Sequence, residues 1–260
     1  MTDYTFSAYK AYLEALKGLG FQFITFHEFF KKEFDSQRPY CLLRHDVDRK
    51  VTNTLKMAQL EHELGVKATY YFRTKNHVFK SSIIQTIEGQ GHEIGYHYEN
   101  LSDTKGDMNR ALKDFKDQLS RLRQHATVTT CAMHGRPLEP YDNRDLWKSK
   151  ENHDILTNDL QLLGEVYLDI DYKDILFITD SGRNWHSGRL NLRDTVESQV
   201  SKDFEDGSEL LRYFSADPHP KVVFQIHPER WAYNSVDYAY QWMFDMAVNM
   251  AKRLVKLLKK

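Results

Sequence analysis

Hydrophobic and polar positions follow two periods along this chain. Short apolar runs recur at Tyr40 to Arg44, Ala68 to Phe72, His92 to His97, Val128 to Met133, Glu165 to Asp169, Ile175 to Thr179 and Val222 to Ile226. Each has the length of a buried strand. Between them apolar residues return every three or four positions. Val51, Leu55, Met57 and Ala58 mark a helix closed by Gly65, and Ser82 to Glu88 form another that leads into Gly89 and Gly91. Met108, Leu112, Phe115, Leu119 and Leu122 trace an amphipathic helix. A last helix is predicted over Ser235 to Leu258, with Val236, Tyr240, Met243, Ala247, Met250, Leu254 and Leu257 facing inward. Strands that alternate with helices predict a parallel sheet with right-handed crossovers. About seven such units predict an α/β fold, an irregular and partly open (β/α) barrel. It would occupy residues 1–260 as one domain, with a helical extension over 1–38 packed outside and a C-terminal helix over 234–260. The stretch from Asp142 to Asn158 is polar and reads as a long loop with short helices.

Composition narrows the function classes. A 260-residue chain with 41% hydrophobic residues can bury a substantial core. Its 36 basic and 37 acidic side chains nearly cancel, and the basic group Lys256, Lys259 and Lys260 is short, so no nucleic-acid partner is expected. Cys41 and Cys131 lie in apolar runs and read as buried hydrophobes in a reducing compartment, which excludes a thiolate zinc site. The start lacks a basic segment followed by an apolar one, and no uncharged run approaches the roughly 18 residues of a membrane span. The expectation is a cytoplasmic protein without a membrane span. No nucleophile elbow, Walker loop, dinucleotide loop or H-E-x-x-H helix occurs.

The predicted strands end in chemistry. The first ends in Arg44, His45, Asp46 and Asp48, the third in His97, the fourth in His134 and Arg136, a later one in Asp180, Arg183 and Trp185, and the last in His227 and Trp231. In a parallel barrel these ends converge. Carboxylate plus imidazole without thiolate is the ligand set of a hydrolytic divalent ion such as zinc. Asp46 and Asp48 either cap the helix that follows or serve a site, and their pairing beside His45 points to a site. His92 reads as the start of a strand. The remaining histidines, at 27, 62, 77, 125, 153, 186 and 219, read as surface residues. Trp185 and Trp231 are either core or flat platforms for a sugar face.

Leu43-Arg44-His45-Asp46-Val47-Asp48 followed by Gly91-His92-Glu93-Ile94-Gly95-Tyr96-His97 resembles the polysaccharide deacetylase family, carbohydrate esterase family 4. The likeness runs from about Tyr40 to Trp231. It implies an open (β/α) barrel and metal-assisted hydrolysis of an N-acetyl group. It implies Asp46 as general base, Asp48 and His97 as metal ligands, and His227 as general acid at the end of Val223-Phe224-Gln225-Ile226. The family's second metal histidine falls at Leu101, which cannot bind a metal. His134 is the first candidate to complete the site, Glu99 the second and His92 the third. Arg136-Pro137 matches the third family motif, and Asp180 to Trp185 stands where the family has an Asp/Trp motif.

The resulting expectation is a zinc-dependent hydrolase. It would remove acetyl from an N-acetylated saccharide or a nucleotide- or lipid-linked sugar in surface-polysaccharide (O-antigen type) biosynthesis. Arg44, Arg136, Arg183, Trp185 and Trp231 would bind the substrate. Two readings stay open beside it: a carbohydrate-binding protein on the same fold, motivated by Leu101, and an amidohydrolase acting outside sugars.

Overall fold

The structure, a computed structural model, describes residues 2–136, 139–185 and 193–258, and their side chains except at 249 and 251–258. The strands are β1 (Gln22–Ile24), β2 (Tyr40–Val47), β3 (Thr69–Phe72), β4 (Glu93–Tyr98), β5 (Thr130–Met133), β6 (Gly164–Glu165), β7 (Leu176–Thr179) and β8 (Lys221–Ile226). They form one sheet: seven run in the order β6-β5-β4-β3-β2-β8-β7, β1 pairs with β2 off that path, and every pairing is parallel. Among the described residues no ladder joins β6 to β7, so the barrel is open there.

The helices are α1 (Phe6–Gly18), α2 (Phe26–Lys31), α3 (Val51–Glu63), α4 (Ser81–Gly89), α5 (Asn100–Asp103), α6 (Met108–Arg123), α7 (Lys150–Asp154), α8 (Gly207–Ala216) and α9 (Ser235–Leu258). Their ends follow local chemistry. Thr25 and Glu28 form a reciprocal capping box on α2, and Asp107 caps α6. α3 starts from Lys50, at φ 43°, with no side-chain cap. Neither Asp46 nor Asp48 is spent on capping it.

Side chains alternate across β2, as the strand period requires. Leu43, His45 and Val47 take one face, Arg44 and Asp46 the other. Gly95 on β4 has a packing reason: a Cβ there would stand 2.2 Å from the Tyr71 ring. Removing the side chain admits Tyr71 to the same face as Asp46.

Four expectations need correction. The segment 1–38 is more than an outer helical extension. β1 pairs in parallel with the start of β2, and Tyr9, Tyr12, Leu13 and Leu16 of α1 are buried in the core. β6 stops at Glu165 instead of running to Asp169, because the Glu165 carboxylate accepts the backbone N–H groups of Met133, Tyr167 and Leu168 and turns the chain. α8 escaped the sequence reading, although Leu210 and Phe214 bury a helical stripe.

The fourth correction is the orientation of α9. Val236, Tyr240, Met243 and Met250 are 81%, 54%, 58% and 61% exposed, and Ala247 is exposed with them. Among the described side chains of α9, Gln241 and Asp245 are the buried ones. Polar anchors fix this orientation: Asp237 pairs with Lys50 at 2.7 Å, and Asp245 with Arg183 at 3.4 Å. The side chains of Leu254 and Leu257 lie outside the described residues.

Candidate metal centre

Three strand ends meet at one point. Asp48 follows β2, His97 is in β4 and His134 follows β5. His97 Nε2 and His134 Nε2 each lie 3.4 Å from Asp48 Oδ1. All three ligand atoms lie within 4.8 Å of one another. Ligands about 2.0–2.1 Å from a tetrahedral ion stand roughly 3.3–3.4 Å apart, so this spacing is that of a zinc-like coordination edge. Asp48 Oδ1 is buried and has no hydrogen-bond partner. A lone pair left in that state costs free energy unless a cation or proton is shared. The residues therefore fit a divalent ion.

The outer contacts set the inner ones. His97 Nδ1 lies 2.9 Å from the Ala132 carbonyl, which can only accept, so Nδ1 carries the proton and Nε2 keeps its lone pair for the centre. His134 Nδ1 stands 3.2 Å from Glu99 Oε2, off the line of a well-aligned hydrogen bond. Glu99 is held in turn by Arg73 Nε and Nη2 at 2.8 and 2.6 Å. Burial pushes the Asp48 carboxyl up, but the His134 and His97 imidazoles overcome this and hold it well below the usual range. Burial pushes His134 down, while Asp48 and Glu99 bring it up to about 9. With no ion bound, a proton on His134 balances Asp48, and an ion must displace it.

A second pair of groups flanks the centre. Asp46 receives Arg44 Nε and Nη2 at 2.7 and 2.8 Å and Gln225 Nε2 at 2.7 Å. Its Oδ2 lies 3.6 Å from His97 Nε2. Burial opposes its charge, but Arg44, His97 and His227 lower its pKa, so Asp46 stays ionised. His227 follows β8, one step beyond the parallel pair His45–Ile226, which sets it beside Asp46. Its Nδ1 donates to Asp180 Oδ1 at 2.5 Å, leaving Nε2 as the free ring nitrogen. Asp180 also accepts the His227 backbone N–H at 3.0 Å and Trp231 Nε1–H at 2.8 Å. Burial lowers the His227 pKa, and Asp180 raises it to about 9.

The expected ligands Asp48, His97 and His134 and the expected acid–base residues Asp46 and His227 are thus brought together. The other two ligand candidates stand elsewhere: Glu99 lies behind His134, and His92 sits 3.7 Å from Glu61 on the helix-facing side of the sheet. Most of the expected substrate contacts are corrected. Arg44 is fully buried and committed to Asp46. Arg183 is buried under the rings of Tyr4 and Tyr238 and pairs with Asp245. Trp185 is buried and stacked on Tyr4 at 5.3 Å. Trp231 is buried and donates its Nε1–H to Asp180 at 2.8 Å. Packing claims these side chains before a ligand can. Arg136 alone of the five remains on the rim, 30% exposed, paired with Asp103 at 2.9 Å and Glu139 at 3.2 Å. Pro137 lies outside the described residues.

Sequence reasoning missed three participants. Arg73 follows β3 directly, so the rule that chemistry collects at strand ends could have found it. Gln225, two residues before His227, reads as a strand interior. Glu229, just past His227, is buried, and burial together with Asp48 pushes its carboxyl up to about 7. Nothing in its local pattern marks it.

No family model and no curated protein matches the chain. Among solved structures it is similar to a CE4 family pseudoenzyme from Bacillus anthracis, at 13% identity and TM-score 0.47, over 84% of this chain and 63% of that one. The chain thus spans less than two thirds of that protein's length. It is also similar to the peptidoglycan deacetylase PdaC from Bacillus subtilis (13%, TM-score 0.44, 84% and 87%) and to a CE4 esterase from Streptococcus mutans (15%, TM-score 0.45, 88% and 86%). The first and third of these carry the name of the carbohydrate esterase family that the sequence motifs resemble. At such identities and TM-scores the functional reading rests on the side chains themselves.

Proposed function

We propose that the protein is a metal-dependent hydrolase that removes an acetyl group from an N-acetylated saccharide or a precursor carrying one. The observation that carries this reading is the Asp48–His97–His134 triad beside an ionised Asp46 and a protonated His227. A divalent ion held by the triad, zinc by its donor set, supplies polarisation of an amide carbonyl and acidification of water. Asp46 accepts the proton of the attacking water, and Arg44 and Gln225 hold its carboxylate in place. His227 protonates the departing amine, which is a poor leaving group otherwise. Asp180 fixes the tautomer of His227 and keeps it charged at neutral pH. The motif resemblance supports an acetamido sugar as substrate and surface-polysaccharide biosynthesis as its setting.

The test is acetate release from a panel of N-acetylated oligosaccharides and small cyclic amides, after chelation and with zinc restored. Release from the sugars alone, lost on chelation and in Asp46→Asn, is expected. Release that survives both treatments would overturn the reading.

A further inference from the structure

The surface of α9 is inverted relative to a water-facing helix. Among the described side chains, every exposed position from Val236 to Met250 is apolar or aromatic. Trp242 and Met246 are 48% and 45% exposed, beside the residues already named. At 3.6 residues per turn these positions cover about 240° of the helix circumference. Their exposed area is on the order of 700 Å², above the roughly 300–600 Å² of the largest patch on a typical monomer.

Two features choose an occupant. The last ten residues, 251–260, hold Lys252, Arg253, Lys256, Lys259 and Lys260 and no acidic residue. The exposed face between Val236 and Met250 offers no carboxylate that a second copy could present to this basic end. An apolar arc this wide also exceeds the stripe of somewhat over 100° that a single packed helix covers. An anionic bilayer surface satisfies both features, since it receives the apolar arc and neutralises the basic end. Among the described residues no helix is long and apolar enough to cross a membrane, so the contact is one of lying on the surface.

We propose that the apolar face of α9 docks on an anionic lipid bilayer in the plane of its surface. The helix is tied to the loop that carries the metal centre: the Arg49 guanidinium, next to Asp48, lies 3.9 Å from the Phe244 ring centroid, and Lys50 pairs with Asp237. Docking therefore sets the mouth of the site beside the membrane.

The experiment is co-sedimentation of the full chain with vesicles of phosphatidylcholine, alone or mixed with phosphatidylglycerol, at low and high salt. Brominated lipid adds a second readout: Trp147, Trp185 and Trp231 are buried, so quenching reports Trp242. The expected result is sedimentation with the anionic vesicles, weakened by salt and accompanied by quenching. Lys256→Gln should reduce the partition constant about fivefold. Met243→Asp combined with Met250→Asp should abolish binding while far-UV circular dichroism and metal content stay unchanged. A wild-type protein that stays in the supernatant with anionic vesicles at low salt overturns the proposal. So does a dimer broken by Met243→Asp without vesicle binding, which would assign the face to a second copy.

Discussion

His45 and Asp46 are neighbours on β2, yet they belong to two clusters of opposite character. On the helix-facing side, His45 Nε2 and Tyr70 Oη each lie 2.7 Å from the Glu61 carboxylate, and Tyr9 Oη donates to it as well. His92 Nε2 donates to the Ala58 carbonyl at 3.1 Å. Three donors of the protein hold Glu61, with at least one on each oxygen. On the inner face, Asp48 Oδ1 has no donor, and two imidazole nitrogens face it from 3.4 Å. Both clusters are built from carboxylates and histidines, the first fully buried and the second open to solvent at Asp48 and His134. What separates them is where the lone pairs end: on hydroxyl and ring donors in one, on a shared point in the other. A histidine–carboxylate cluster reads as a metal centre when its inner ring nitrogens converge on one carboxylate oxygen, as those of His97 and His134 do on Asp48.

The two clusters share an acid limb, since Asp48 and Asp46 are lowered as Glu61 is, and they differ on the alkaline side. Burial raises the Glu61 pKa, but His45 and His92 overcome this and bring it below its ordinary value, while burial lowers His92. Both shifts make the folded state bind fewer protons than the unfolded one. Their contribution is present above the unfolded pKa values, roughly 4.5 and 6.5, and is lost as pH falls through the folded ones. His134 and His227 are raised to about 9. In the metal-free protein their contribution is full below about 6.5 and is lost as pH rises through about 9.

Substitutions in either cluster should separate their roles. The largest effect is expected from Asp48→Asn or His97→Ala: loss of bound metal and about three orders of magnitude in acetate release, with melting temperature of the metal-free protein changed far less. His227→Gln should lower kcat by about a hundredfold or more while metal content persists. Glu61→Ala should do the reverse. It should destabilise the fold by about 3 kcal/mol, seen in denaturant titration, with metal content unchanged in the folded fraction. Equal metal loss in Glu61→Ala and His97→Ala would erase the distinction. Glu99→Gln should weaken metal affinity by about 10–100-fold through His134, read by chelator competition. The smallest effect is in thermal melts against pH without metal. Glu61→Gln should flatten the acid side and His227→Gln the alkaline side.

Much of this was legible in the chain. The strand runs are uninterrupted and their polar ends abrupt, so the parallel barrel and the convergence of Asp46, Asp48, His97, His134 and His227 followed from pattern. Leu101 advertised a missing ligand, and the strand-end rule offered His134 in its place. Leu101 itself is buried in α5, with its side chain in the core. The fate of Arg44, Arg183, Trp185 and Trp231 was not legible. Whether a cation or an indole faces a ligand or the core depends on partners distant in sequence, such as Asp245 for Arg183 and Asp180 for Trp231. α9 misled for a related reason. Periodicity identifies its apolar face but not which face meets the body, and the ion pairs of Asp237 with Lys50 and of Asp245 with Arg183 decide that.

His134 is expected to supply the third ligand in place of the residue at Leu101. Elemental analysis of the wild type, His134→Ala and His97→Ala, each expressed without a chelating tag and re-equilibrated with zinc, tests it directly. Near-stoichiometric zinc in the wild type and its loss in both variants are expected. A His134→Ala protein that keeps its zinc while His97→Ala loses it would remove His134 from the ligand set.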